Sequence, residues 1–192
     1  MTAQTQQPQR TQWVAAAAVA TGAMLAVALG IYGNTHPPTG LEIWTLGFPS
    51  MIAMKVWLGV VALTLAVVQL TSALWLYGKL GRPVGRGVGF VHRWSGRTAI
   101  VVSLPVAYHC LWSIGFQSTS TRVLVHSLLG CVLYGAFVTK VLSLRTKGSP
   151  GWLLPLAGGL LFAAVVLVVF TSSIWYLNEN GPPWNAPVSV GY

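Results

Sequence analysis

Two histidines, His109 and His126, lie inside apolar segments of the chain, where an ionisable side chain indicates a functional site. A short turn centred near Ser118 and Thr119 separates the two segments. His109 precedes this turn by about nine or ten residues and His126 follows it by about seven or eight, so at 1.5 Å per residue both lie at nearly the same depth. Because short connections make consecutive helices antiparallel neighbours, the two imidazoles can face each other or a shared ligand.

A pair of imidazoles at one depth suits the axial positions of a haem, whose apolar macrocycle belongs in the core of a helix bundle. Each neutral imidazole binds iron through one nitrogen while the other nitrogen donates a hydrogen bond. Arg122 and Lys55 are basic residues expected at the same depth, and we assign them to the haem propionates. Gly130, one turn after His126, leaves room for a flat ring. The pattern predicts one haem b, with His109 and His126 as the ligands of its iron.

Each of these residues also has an ordinary interpretation. An intramembrane histidine often forms a hydrogen bond between helices, and the pair is also compatible with another metal or with a proton relay. Zinc and copper sites usually have three or four ligands or thiolates, and Cys110 should point about 100° away from its neighbour His109. Lys55 can extend to the membrane interface, and Arg122 can be an exposed loop residue.

The other two histidines of the chain lie away from this pair. His92 is about 25 Å from His109 along an ideal helix, and no inner histidine could pair with it, so we do not predict a second bis-histidine haem. We expect His92 to anchor the start of its helix near lipid headgroups or a quinone. His36 lies in the first outer loop. Pro105 predicts a kink that widens the site, although proline is also common in ordinary membrane helices.

Five apolar segments must position these residues, and each has about the 20 residues that cross a hydrocarbon core. They cover residues 13–32, 51–77, 98–116, 123–142 and 152–177, between an N-terminal tail (1–12) and an extended outer tail (178–192). The chain has 192 residues, of which 54% are hydrophobic and only 7% charged, too few charges to cover a soluble domain. The first segment exceeds the apolar stretch of a signal peptide and should be retained. We predict an all-α bundle of five transmembrane helices.

The chain has a net charge of +9, and its basic residues fall mainly between the apolar segments, as the positive-inside rule predicts. With the N-terminus in the cytoplasm, nine of the 11 basic residues fall inside: Arg10, Lys79, Arg82, Arg86, Arg93, Arg97, Lys140, Arg145 and Lys147. Both acidic residues, Glu42 and Glu179, fall outside. The distribution predicts a cytoplasmic N-terminus and an outer C-terminus, with the lipid bilayer as partner, and argues against nucleic-acid binding.

Three runs of sequence resemble an uncharacterised family of small actinobacterial membrane proteins: HRWSGR (92–97), LPVAYH (104–109) and STSTRVLVHSLLG (118–130). The resemblance is close over residues 90–177 and holds only in pattern over the first two helices. More loosely, the chain resembles cytochrome b561 and ferric reductase-like transmembrane proteins, which carry haem between histidines. Those relatives usually have two histidine pairs, whereas only His109 and His126 match here. The resemblance implies an outward-facing haem beside a secreted Rieske or cupredoxin-like carrier, without complete electron transfer across the membrane.

The leading hypothesis is therefore a b-type cytochrome that exchanges single electrons with a partner on the outer face, drawing on membrane quinone. Both an oxidoreductase and an electron-relay subunit fit this hypothesis. The alternative is a non-catalytic anchor or assembly subunit of a larger, respiratory-type complex, in which the histidines only bridge helices and no cofactor binds. A small transporter ranks third, because the sequence lacks broken helices in repeated halves.

Overall fold

A computed structural model describes residues 6–183 of the chain, with side chains from residue 11 onward. This part is helical and contains no strand. Its α-helices are α1 (Gln6–Thr35), α2 (Met51–Leu76), α3 (Val88–Tyr108), α4 (Thr121–Arg145), α5 (Leu153–Val169) and α6 (Trp175–Asn180). There are also two π-helical segments. The first, π1 (His109–Ile114), continues α3, and the second, π2 (Phe170–Ile174), joins α5 to α6. The ends of both predicted tails, residues 1–5 and 184–192, lie outside the described residues.

Four helices of the described part are long and apolar enough to cross a membrane: Thr11–Thr35, Met51–Leu76, Thr121–Arg145 and Leu153–Asn180. The last of these combines α5, π2 and α6. The prediction of an all-helical membrane protein is therefore confirmed, but by this criterion with four spans and not five. The helix that falls short is α3. Its first turns contain Arg93 and Arg97, and its apolar part runs on into π1.

Several helices extend beyond the apolar segments that predict them. The third begins at Val88, well before the predicted start at Thr98, and the last continues past Leu177 to Asn180. The difference arises because hydropathy marks only the part of a helix suited to hydrocarbon, while backbone hydrogen bonding continues into the polar flanks. As a result, His92 lies within α3 and does not precede it.

Serine caps fix where α2 and α4 begin. The hydroxyl of Ser50 accepts a hydrogen bond from the backbone N–H of Ala53 at 3.1 Å. The hydroxyl of Ser120 accepts one from the backbone N–H of Val123 at 3.3 Å. Such oxygens satisfy N–H groups of the first turn, which have no partner inside the helix. The caps therefore set the depth of the site residues that α2 and α4 carry.

Helices α1 and α4 pack closely through glycine. Gly22 of α1 and Gly135 of α4 face each other, so that a Cβ atom on either would overlap the backbone of the other helix. The hydroxyl of Thr139 donates to the backbone oxygen of Ala18 at 3.3 Å across the same interface. Small residues of this kind let two membrane helices approach closely enough for extensive van der Waals contact. This close contact fixes α4 against α1.

The neighbour of α3 is α2, although α4 follows α3 in the chain. The amide of Gln69 donates to the backbone oxygen of His92 and, at 2.7 Å, to the hydroxyl of Ser95. Between α3 and α4 close backbone packing is sparse, and the hydroxyl of Tyr134 spans the separation to reach Ser103 Oγ at 2.9 Å. The short turn thus joins two helices that stand apart, and the predicted site lies between them.

Candidate functional site

His109 lies where α3 gives way to π1, and its side chain is fully buried. Its Nδ1 is 2.8 Å from the backbone oxygen of Pro105. Because a carbonyl oxygen only accepts hydrogen bonds, Nδ1 carries the proton and Nε2 of the neutral ring keeps its lone pair. That Nε2 atom is buried and has no hydrogen-bond partner. A buried nitrogen without a partner costs about 1–3 kcal/mol, so Nε2 is the candidate atom of this site for binding a ligand or a water molecule.

Pro105 lies inside α3 and not at its end. As proline has no N–H to donate, the helix lacks one of its regular hydrogen bonds here. The backbone oxygen of Pro105 in turn accepts the bond from His109 Nδ1, and the helix changes from α to π geometry at His109. Pro105 therefore contributes an orienting acceptor for the imidazole as well as a local irregularity.

His126 is held in the same tautomer as His109 by a different helix. Its Nδ1 lies 3.2 Å from the backbone oxygen of Val168 and 3.3 Å from the hydroxyl oxygen of Thr171. That hydroxyl donates to the backbone oxygen of Leu167 at 2.7 Å, so it accepts from the imidazole. Nδ1 again carries the proton, which leaves the lone pair on Nε2. An imidazole with Nδ1 donating and Nε2 open is in the form that binds a metal.

Both π-helical segments adjoin these histidines. π1 begins at His109, and π2 supplies Thr171, which contacts His126 and also accepts a 2.6 Å hydrogen bond from the guanidinium of Arg122 through its backbone oxygen. Short π segments inside α-helices often mark functional sites, because the extra residue per turn redirects side chains and frees backbone groups. Sequence periodicity gave no sign of either segment, since neither changes the apolar character of its helix.

Cys110 joins the site in a way that its angle on an ideal helix did not suggest. Lys55 and His126 are both close enough to its thiol to act on it electrostatically. His109 and His126 are not hydrogen-bonded to each other, since His109 Nε2 has no partner. The sequence signal that could have revealed Cys110 is its place beside His109, at the depth of Lys55.

Arg122 is partly buried and has definite partners, so it is not a free loop residue. Its guanidinium lies over the ring of Trp175, with Cζ 3.5 Å from the ring centroid, and it donates to the backbone oxygen of Thr171. A guanidinium has five N–H donors, so further donors remain for a carboxylate. The predicted assignment of Arg122 and Lys55 to propionates stays a prediction.

Gly130 borders open space. A Cβ atom built on it would meet no atom within 4 Å. His126, Gly130 and Tyr134 follow at intervals of four residues and therefore share one face of α4. Tyr134 reaches Ser103 of α3, so this face is directed at α3. The space beside Gly130 thus opens into the separation between α3 and α4, between the level of His126 and that of Tyr134.

The donor set fits a haem better than a bare metal ion. Among the described side chains, no group of three or more His, Cys, Asp or Glu residues is arranged to hold a metal ion. Zinc needs three or four protein ligands, whereas a haem brings four equatorial nitrogens and needs only axial ligands from the protein. His109 Nε2, which has no partner, together with His126 and the space beside Gly130, would meet that smaller demand.

The remaining histidines lie elsewhere. His92 Nδ1 is 2.9 Å from the hydroxyl of Ser72, which ties α3 to α2, and Lys140 of α4 is close enough to act on His92 electrostatically. His36 follows the end of α1 and stacks on Tyr32, with 5.0 Å between ring centroids. Its Nε2 is buried without a hydrogen-bond partner, as in His109. Neither residue shares the region between α3 and α4 at the level of His126.

Four helices of membrane length, together with the buried His109, define a multi-pass integral membrane protein. Residues 14–184 match the model of a family of unknown function, DUF6529, and the chain belongs to that family. The match includes the first two helices, for which the sequence runs alone indicated likeness only in pattern. No curated protein and no solved structure matches the chain.

Proposed function

We propose that this protein is a membrane electron-transfer protein, a b-type cytochrome that holds one haem between α3 and α4. The observation that carries the proposal is His109 Nε2, buried and without a partner in a ring oriented by Pro105. An axial ligand needs this arrangement, with one nitrogen anchored to a backbone oxygen and the other open.

His126 is the proposed ligand from α4. Its Nδ1 is anchored to the backbone oxygen of Val168, so α5 fixes the orientation of the ring. The open space at Gly130 then receives the macrocycle on the face that α4 directs at α3. Lys55 and Arg122 supply the positive charge that the two propionates require, with Arg122 positioned by Trp175. A bound haem would supply one-electron chemistry, while these side chains bind it and exclude water from it.

The proposal includes a membrane topology. α3 together with π1 is the fifth span, the N-terminus is cytoplasmic, and the C-terminus is outside the bacterial plasma membrane. The support is the asymmetry of basic residues between the two sides and the length of the apolar part of α3 and π1, roughly 25 Å. The site then lies in the outer leaflet. Its electron partner would be an outer-face carrier of Rieske or cupredoxin type, with membrane quinone as the second partner.

An absorbance experiment tests the proposal. The protein is purified in detergent from haem-supplemented cells, and a reduced-minus-oxidised spectrum is recorded. We expect the α-band of a six-coordinate b-type haem, and we expect His109→Ala and His126→Ala to abolish it. His36→Ala and His92→Ala are matched controls that should keep it. A protein without an α-band, or a band that survives both ligand substitutions, would refute the proposal.

A second candidate function is a cofactor-free membrane subunit of a larger complex. The observation that favours it is that His126 and His92 each bond to a neighbouring helix, through Val168 and Ser72 respectively. This candidate predicts a colourless protein that co-purifies with other subunits and keeps them after either histidine is replaced. The spectrum described above separates the two functions.

A further inference from the structure

Two loops lie at the same end of the bundle, the one between α2 and α3 (residues 77–87) and the one between α4 and α5 (residues 146–152). A Cβ atom on Gly59, in the first half of α2, would overlap the side chain of Ser173 in π2, beyond the end of α5. The two helices are therefore antiparallel, and the end of α2 lies at the level of the start of α5. We call this end of the bundle, with the first turns of α3 and the last turn of α4, the basic end.

The basic end has many cations and no acidic side chain. Its exposed basic residues are Lys79, Arg82, Arg86, Arg93, Arg97, Arg145 and Lys147. The whole chain contains two acidic residues, and both lie at the opposite end. The carboxylate of Glu42 accepts the backbone N–H of Met51 at 3.0 Å, where α2 begins, and Glu179 lies in α6. The positive charge of the basic end is therefore available to an anionic partner.

The loop between α2 and α3 is held in a defined shape. The indole N–H of Trp75 donates to the backbone oxygen of Pro83 at 3.0 Å. The backbone N–H of Lys79 donates to the backbone oxygen of Leu74 at 2.9 Å, which closes the end of α2. The three basic residues of this loop thus extend from a fixed backbone, so a ligand that binds them has less of the loop to order.

Exposed aromatic side chains adjoin these cations. Phe90 and Trp94 lie one turn apart at the start of α3, are 57% and 51% exposed, and have ring centroids 6.0 Å apart. The guanidinium of Arg97 lies over the ring of Trp94, with Cζ 5.2 Å from the ring centroid. Aromatic rings beside basic side chains are typical of the level where hydrocarbon meets lipid headgroups. A phospholipid can bind both, its phosphate to the cations and its acyl chains to the rings, whereas a free phosphate ion uses the cations alone.

We propose that the basic end is a binding surface for anionic phospholipids, in which Lys79, Arg82 and Arg86 contact the headgroup and Phe90 and Trp94 pack against the acyl chains. The inference goes beyond the proposed function, because the haem site lies between α3 and α4 at the level of the other end. Each Lys or Arg close to a membrane surface attracts anionic lipid, and three on one ordered loop act on the same headgroup region. Because the attraction is electrostatic and close to water, it should weaken at high salt.

Thermal unfolding of the full chain with added lipid tests this proposal. The protein in a neutral detergent is titrated with dioleoyl phosphatidylglycerol, with dioleoyl phosphatidylcholine, or with inorganic phosphate. We expect phosphatidylglycerol to raise the unfolding temperature by several degrees more than either of the others. In the triple variant Lys79→Gln, Arg82→Gln, Arg86→Gln, we expect the phosphatidylglycerol concentration for half of this effect to rise roughly tenfold. The matched control is Arg145→Gln with Lys147→Gln, which removes charge from the same end but outside the loop and should keep most of the effect.

Equal stabilisation of the wild type by the two lipids would overturn the inference, and this comparison needs no variant. A triple variant with the wild-type response, or a control that loses as much as the triple variant, would overturn the assignment to the loop. Full stabilisation by inorganic phosphate would mean a site for a free anion. An acidic protein that co-purifies with the wild type and not with the triple variant, without a lipid preference, would mean a protein-docking surface. The haem content of the triple variant should equal that of the wild type, so the two proposals fail separately.

Discussion

Two glycines of α4 occupy opposite situations. Gly135 is pressed against Gly22 of α1, and a side chain on it would overlap the backbone of that helix. Gly130, little more than one turn earlier, would meet no atom within 4 Å on the face directed at α3. The same residue type therefore serves close packing on one side of the helix and leaves space on the other. The α1–α4 contact makes a rigid support, and the separation between α4 and α3 is available for a ligand.

The polar groups on the two sides differ in the same sense. On the α1 side, the hydroxyl of Thr139 has hydrogen-bond partners in Ala18 and in its own helix. On the α3 side, His109 has a buried nitrogen with no hydrogen-bond partner. Polar groups with partners hold the α1–α4 interface together, whereas the unpartnered nitrogen of His109 makes the α3 side the candidate site for a further molecule.

The largest effect on stability should come from adding a side chain at the close contact between α1 and α4. Gly135→Val places a branched side chain against the backbone of Gly22, and we expect a loss of about 3 kcal/mol in the free energy of unfolding, or failure to fold. Gly130→Ala is the matched control. It should be neutral or stabilising by about 0.5–1 kcal/mol, because alanine favours the helix. Thermal unfolding in detergent measures both, and equal destabilisation by the two substitutions would contradict the comparison.

Adding a large side chain at Gly130 should prevent haem binding without unfolding the protein. Gly130→Leu adds a side chain to the space proposed for the macrocycle, so we expect the haem content of the purified protein to fall at least tenfold. The unfolding temperature of the haem-free protein should stay within a few degrees of that of haem-free wild type. Retention of full haem content in this variant would show that the macrocycle does not use this space.

A smaller effect should follow from removing the connection across the separation. Tyr134→Phe deletes the hydroxyl that bonds to the side chain and backbone oxygen of Ser103. We expect a loss of about 1 kcal/mol in the free energy of unfolding, as for a typical hydrogen bond. Ser103→Ala removes only one of these acceptors and should cost less. If Tyr134→Phe costs nothing, the hydroxyl does not help to set the distance between α3 and α4.

The smallest effect on the site should come from the α2–α3 contact. His92→Gln removes the ring that bonds to Ser72, at a cost of about 1 kcal/mol in stability. The haem spectrum should be unchanged, since His92 lies far from the level of His126. A changed α-band in this variant would mean that a haem also contacts the inner end of α3.

The sequence predicts the helices of this fold better than the contacts between them. Apolar length identified the helices, and the short turn near Ser118 and Thr119 marked the connection before α4, because these signals are local. The start of α3 at Val88 was not predicted, because the first turns of this helix are basic and lack the apolar character that marked the other helices. The two π segments were not predicted either. A side-chain direction calculated for an ideal α-helix no longer holds once a π turn begins at His109, and which helices pack closely depends on the whole bundle.

The central claim is that one haem lies between α3 and α4, and the ratio of haem to protein tests it most directly. Pyridine haemochrome analysis of the purified wild type, set against its protein concentration, should give one haem b per chain. The same analysis of the double substitution His109→Ala with His126→Ala should give none. A wild-type protein with no haem would contradict the account, and so would one with two haems per chain, because the described residues offer a matched pair of ligands for one.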